Sequence, residues 1–347
     1  MRIEDIPGWA DDDVTQAWPA FLAGCKTLRN RPEWRSVCDA TSGVNTSSRW
    51  VVRKFFADHF QAWRVRNADG STHGLITGYY EPVHDGSRTP GARFTAPLYA
   101  PPDDLLSIEM GDLLPELKEA QARGARLRGR VGTTPEGKRA VLPYYTRAEL
   151  QADPAPLRGK ALLYLADPIE AFFAQVQGSL RVRLEDGTQL RLGYADTNGH
   201  PYKSIGRVLI DRGELKTDEA SMQGIQAWAK AHPRQLPELL AQNPGFVFFR
   251  ELPDSDDGPL GSLGIALTAE RSIAIDPKFV PMGAPVFVAT TEPMTEKPLR
   301  RLMLAQDTGT AIRGAVRADV YWGSGARAGE IAGRMKQRGE MFVLLPK

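Results

Sequence analysis

The apolar positions at the start of the chain recur with a helical period. Trp18, Phe21, Leu22 and Cys25 fall at i, i+3, i+4 and i+7, which lines them along one face of a helix. Residues 49–65 repeat the spacing with Val52, Phe55, Phe56, Phe60 and Trp63, so the stretch 12–66 predicts helices. The period then changes. Residues 74–80 form a short β-prone run between glycines, closed by Pro82. Residues 83–158 are rich in Pro and Gly, which predicts long loops and short strands, with one helix over 113–125. From Leu162 the pattern is mostly β. Residues 174–184 predict a strand leading into the hairpin signal Asp186-Gly187, answered by alternation over 190–195. Helix returns over 217–242 and stops at Asn243-Pro244-Gly245. The last hundred residues predict short strands at 246–250, 271–275, 285–288, 300–305 and 341–345, with a short helix over 326–337. Many short strands between Gly and Pro turns favour a barrel over a βαβ sheet.

A chain of 347 residues has room for two domains. Hydrophobic residues at 42% and charged residues at 25% support a globular core. A formal net charge of +2 argues for neither nucleic acid nor an anionic membrane as partner. No apolar run approaches the roughly 20 residues of a membrane helix, and the polar N-terminus has no secretory h-region. The chain is therefore cytoplasmic, or its signal segment has been removed. Cys25 and Cys38 form no C-x-x-C and have no His at ligand spacing. They are two thiols or one disulfide, and the disulfide would need an oxidising compartment.

Three aspartates end apolar runs near the C-terminus: Asp276 before Pro277, Asp307 in Gln306-Asp307-Thr308-Gly309, and Asp319 in Arg317-Ala318-Asp319-Val320-Tyr321. Singly, each reads as a turn or capping residue. Carboxyl groups held together would alter one another's protonation. Asp-Thr-Gly is also the aspartic-protease signature, but no second copy exists in a chain this long. The five histidines are scattered, so neither a catalytic metal nor another cofactor is expected. Ser262, in Gly261-Ser262-Leu263-Gly264, is not a nucleophile elbow. Thr77, Tyr79, Tyr80, Gln175, Gln177, Ser179, Tyr194 and Asn198 offer the aromatic faces and neutral hydrogen-bonding groups that sugars need. They would equally suit a packed barrel with a wetted polar face.

Five ordered motifs carry a resemblance: Thr77-Gly78-Tyr79-Tyr80-Glu81-Pro82, Gln175-Val176-Gln177-Gly178-Ser179, Tyr202-Lys203-Ser204-Ile205-Gly206, Asn243-Pro244-Gly245-Phe246-Val247-Phe248-Phe249, and the three-aspartate segment. From about Trp9 onward the chain resembles the membrane-bound lytic murein transglycosylase A family, with Leu180 where that family often has Gly. The resemblance implies a mainly β fold with helices at the N-terminus. A double-psi β-barrel domain is expected over 1–81 and 246–347. An inserted β-rich, barrel-like domain over 82–245 would form the other wall of a substrate groove.

The implied activity is non-hydrolytic cleavage of the β-1,4 bond between N-acetylmuramic acid and N-acetylglucosamine, leaving 1,6-anhydromuramic acid ends. Asp319 corresponds to the catalytic acid and Asp307 to its neighbour. The expected substrate-binding residues are Thr77, Gly78, Tyr79, Tyr80, Gln177, Gly178, Ser179, Tyr194, Ser204 and Asp276. The resemblance also favours a Cys25–Cys38 disulfide, a periplasmic outer-membrane lipoprotein and a monomer. Expected partners are peptidoglycan glycan strands, with cell-wall synthesis or divisome proteins as further candidates. No nucleic acid is expected, and membrane contact only through a removed lipid anchor. The alternative from another class is a non-catalytic wall-binding or wall-loosening barrel.

Overall fold

The computed structural model describes residues 1–109, 127–253, 255, 257–309 and 311–347; the helix expected at 113–125 lies outside them. Two compact units divide the chain, Met1–Glu81 with Asp256–Lys347, and Pro82–Ser255.

The first unit opens with helices Trp18–Leu28, Pro32–Asp39 and Arg49–His59. Ser48 caps the third by accepting from the Val51 amide. That helix ends at His59, and the residues expected to continue it form strand β1, Phe60–Arg64. Phe60 and Ala62 are buried while Gln61 and Trp63 are exposed, a period of two. The ladder to the C-terminal strand overrides the helical spacing of Phe60 and Trp63. Trp18, Phe21, Phe55, Phe56 and Phe60 interlock above the barrel, with the Trp18 and Phe55 rings 4.8 Å apart at 90°. A disulfide joins Cys25 to Cys38 and so ties the first helix to the second. Strand β2, Gly74–Glu81, ends this segment.

The second unit holds β3 (Val83–Ser87), β4 (Ala96–Tyr99), β5 (Leu106–Ile108), β6 (Leu127–Thr133), β7 (Arg139–Pro143), β8 (Ala161–Leu165), β9 (Ser179–Leu184), β10 (Gln189–Thr197) and β11 (Val247–Leu252). Six form a sheet in the order β11-β10-β9-β3-β8-β4, and β5-β6-β7 form a second. The Tyr99 and Phe246 rings, 6.3 Å apart, bring the two edges of the larger sheet together. Two expectations fail here for local reasons. Residues 168–177 are helical, so Gln175 and Gln177 stand on a helix: Asp167 caps it, Pro168 occupies its first turn and Gly178 ends it at φ 80°. The boundary expected at 245 also moves, because β11 pairs with β10 and the unit runs to Ser255. The helix expected over 217–242 is two, Met222–Ala231 and Leu236–Ala241. A third, Ile205–Asp211, precedes them.

The chain then completes the first unit with β12 (Ser272–Ile275), β13 (Pro285–Thr291), β14 (Pro298–Thr308), β15 (Arg317–Ser324), helix Gly325–Arg334 and β16 (Lys336–Pro346). The order β16-β13-β14-β12-β15-β2 closes because β2 pairs again with β16. This six-stranded barrel has two parallel pairs, β12 with β14 and β2 with β15. Ile76, Ile273, Ile275, Val286, Ala318 and Val320 fill its interior. A buried bidentate ion pair staples the N-terminal segment to it: Arg271 donates to both oxygens of Asp12 at 2.9 Å, and Asp12 accepts the Leu302 amide at 2.8 Å.

Losing the disulfide should lower folding stability by roughly 3 kcal/mol, the loop-closure entropy of a link of this span. The double variant Cys25→Ser, Cys38→Ser should therefore unfold at a lower urea midpoint than oxidised protein. Equal midpoints would contradict this.

Candidate active site

Strand register assembles the site. Ala274 on β12 is the partner of Asp307 on β14 and, on its other side, of Asp319 on β15. Asp319 is in turn the partner of Thr77 on β2. Directly paired residues project from the same face of a sheet. Ile76, Ala318, Val320, Ile273 and Ile275 point into the barrel, so alternation turns Thr77, Tyr79, Asp319 and Tyr321 outward. A strand spacing of about 4.8 Å sets the Asp307 and Asp319 backbones about 10 Å apart. Ala274 stands between them in the row, and the Tyr79 side chain reaches across to Asp307. Tyr79, Ala274 and Tyr321 pack with Leu267 and Ile312 into a small apolar cluster beside the carboxyl groups.

The two carboxyl groups have unequal surroundings. Asp319 is partly buried, and the Thr77 hydroxyl donates to its Oδ1 at 2.5 Å. Burial pushes its pKa up to about 6; the Thr77 bond and the Arg317 charge pull down, and the Asp307 charge adds to the rise. Asp307 is also raised by burial, but four donors oppose the rise. Its Oδ1 accepts from the Ser262 amide, the Ser262 hydroxyl and the Thr308 amide, each at 2.9 Å. Its Oδ2 accepts from the Tyr79 hydroxyl at 3.0 Å. Burial and the two carboxylate charges hold that hydroxyl well above its ordinary range, so it stays a donor. Burial raises both groups, and Asp307 has more donors opposing the rise than Asp319 has.

Other expected site residues have different surroundings. Gly78 and Tyr80 lie on the opposite side of β2. A Cβ on Gly78 would meet Trp322 at 2.7 Å, and the Tyr80 ring packs on Gly329 of helix Gly325–Arg334. Asp276 is buried, and its oxygens accept the Lys278 and Gly314 amides, the bonding of a turn former. In the second unit, Gln177 ends its helix, Gly178 is the left-handed residue after it and Ser179 begins β9 opposite Gly193. That pairing brings Tyr194 beside the junction. Ser204 caps helix Ile205–Asp211 through the Arg207 amide. Ser262, Thr308, Ala274 and Arg317 also act on the two carboxyl groups, in roles that their sequence context does not mark. Ser262 was weighed only as a nucleophile, whereas its loop docks on β14 through Gly261, whose Cβ would fall 2.5 Å from the Gln306 carbonyl oxygen.

Comparison with known proteins agrees with this geometry. The MltA specific insert domain matches residues 75–250, and the 3D domain matches residues 271–345. The membrane-bound lytic murein transglycosylase A of Escherichia coli K12 is 34% identical over 308 residues, covering 84% of this chain and 70% of that protein. The chain belongs to the membrane-bound lytic murein transglycosylase A family. Among solved structures of this family, the monoclinic form of MltA from Neisseria gonorrhoeae superposes with a TM-score of 0.83 at 41% identity, covering 100% of this chain and 91% of that one. E. coli MltA with bound chitohexaose superposes with a TM-score of 0.69 at 28% identity, covering 94% and 89%. The 3D match contains Asp307 and Asp319, and the insert match begins inside β2, two residues before Thr77. Family members are named membrane-bound; among the described residues no helix is long and apolar enough to cross a membrane.

The raised Asp319 pKa has a consequence for stability. The folded state holds this proton more tightly than the unfolded chain, whose Asp titrates near about 3.9. Stability therefore falls as pH rises from about 4 through about 6, by roughly 2–3 kcal/mol at most. Asp319→Asn removes that cost while its amide oxygen still accepts from Thr77. The variant should melt a few degrees above wild type at pH 8, with the gap closing toward pH 4. An equal gap at both pH values would contradict the assigned burial of this charge.

Proposed function

We propose that the protein is a peptidoglycan lytic transglycosylase. It would cleave the β-1,4 bond between N-acetylmuramic acid and N-acetylglucosamine without water, with Asp319 as the single general acid and base. The observation that carries the reading is one partly buried carboxyl group with a raised pKa beside a second that is saturated with donors. The first can give up a proton and the second can remain charged.

Thr77 occupies Oδ1 of Asp319, so the working proton belongs on Oδ2. Asp319 donates it to the glycosidic oxygen as the bond from C1 of the muramyl residue breaks. The Asp307 carboxylate stabilises the positive charge that develops on the sugar ring. The C6 hydroxyl oxygen then attacks C1, and the Asp319 carboxylate takes its proton. The 1,6-anhydro ring closes, the acid is restored and no water is consumed. The nucleophile belongs to the substrate, so proximity replaces the second carboxyl group that a hydrolase uses to activate water.

The bound chitohexaose of the E. coli relative supports a glycan strand as ligand. Thr77 and Tyr79 are the proposed sugar contacts beside the acid. The junction of Gln177, Gly178 and Ser179 with Tyr194 is a proposed sugar-contact patch within the second unit. A periplasmic location is part of the same reading and follows the naming of the relatives as membrane-bound.

Digestion of murein sacculi in oxygen-18 water tests the proposal. The new ends should be 1,6-anhydromuramic acid without label; labelled reducing ends would make the protein a conventional glycosidase, and no cleavage would favour a wall-binding role. Asp319→Asn should lose roughly 10²–10⁴-fold in turnover. Asp307→Asn should lose less, and the reverse order would exchange the two roles.

A further inference from the structure

The row through Asp319 continues past Thr77. On β16, Lys336 is the register partner of Thr77, and Arg338 is the partner of Leu75. On β15, Arg317 is the partner of the same Leu75. Two adjacent rows therefore cross β15, β2 and β16, one reading Asp319-Thr77-Lys336 and the other Arg317-Leu75-Arg338. Alternation turns all six outward, because Gly74, Ile76 and Gly339 take the opposite side, where a Cβ on Gly339 would meet Ile76 at 2.7 Å.

Three cations thus lie within two strand positions of the acid. Lys336 and Arg338 are exposed, and Leu75 is 40% exposed between the arginines. None of the three makes an ion pair among the described residues, whereas the nearby Arg64 is paired with Glu340. Arg317 donates to the Leu75 carbonyl oxygen at 3.3 Å and to that of Ala318, which lays its guanidinium along the strands. The other titratable groups facing Asp319 are Asp307 on β14, Tyr79 on β2 and Tyr321 on β15. Asp307 already has four donors, so it is not the natural counterion of this row.

We infer that Lys336 and Arg338, with Arg317, form a subsite for a carboxylate carried by the substrate beside the bond to be cleaved. The inference rests on the transglycosylase reading, since muramyl residues carry such a group either as the lactyl carboxylate or on the attached peptide. Cations on an open strand face hold a carboxylate at modest energy, strengthened at low salt. The subsite selects muramyl glycans over uncharged ones.

Affinity measured in the Asp319→Asn background separates this from catalysis. Three ligands serve: strands with peptide stems, strands stripped by an amidase so that lactyl carboxylates are free, and stripped strands whose carboxylates have been amidated with a carbodiimide. Adding Lys336→Gln and Arg338→Gln should weaken binding of charged strands about tenfold and leave the amidated strands unchanged. A loss on the stripped strands alone assigns the lactyl carboxylate, a loss on the stem-bearing strands alone assigns the peptide carboxylates, and a loss on both shows that the row takes either. Equal affinities with and without the two substitutions, or an equal loss on amidated strands, overturns the subsite. Whether wild-type protein forms anhydro ends is read separately, so failure of the transglycosylase reading is distinguishable.

Discussion

The candidate site depends on one pairing, that of Ala274 with Asp307 on one side and Asp319 on the other. A slip of one residue on β14 or β15 would turn a carboxyl group into the barrel. The register is held from within by Ile273, Ile275, Ala318 and Val320, and by buried polar bonds beside it. Ser272 donates to Gln306 at 2.6 Å, Gln306 donates to the Ala20 carbonyl oxygen at 2.6 Å, and Arg271 is clamped by Asp12. The N-terminal helices thus act on the chemistry at a distance. They fix the residues immediately before Asp307 and at the start of β12.

From that pairing the electrostatics follow. Both carboxyl groups lose solvent, yet the loop carrying Ser262 and the hydroxyl of Tyr79 reach Asp307, whereas among the described residues Asp319 accepts from Thr77 alone. Identical side chains in one row so acquire different affinities for a proton. The cations beyond Thr77 add a graded field along the same row, negative at β14 and positive at β16.

The sequence showed the barrel class, the three aspartates and the motif around Thr77, because short apolar runs between Gly and Pro signals survive without tertiary context. It did not show β15 as a strand, although Asp319 lies on it: Arg317, Asp319 and Gly323 interrupt the apolar run, and pairing with β2 and β12 stabilises it. Residues 174–177 read as strand because Val176 and the glutamines near it mimic alternation, while the decisive signals, Asp167-Pro168 and Gly178, are end signals. Asp276, Gly78 and Ser204 sit in matching motifs, yet their contacts are those of a turn, a helix packing point and a helix cap. The basic row was hidden because Lys336 and Arg338 meet Arg317 only through barrel closure; by sequence Lys336 belonged to a helix.

The central claim is that Asp319 keeps its proton to a higher pH than Asp307 does. Carbon-13 NMR of the aspartate side-chain carboxyl groups, titrated from pH 3 to pH 9 and assigned by Asp319→Asn and Asp307→Asn, measures it directly. The account predicts a midpoint for Asp319 near about 6 and a lower one for Asp307. An ordinary midpoint for Asp319, near about 4, with the higher one at Asp307, would contradict it.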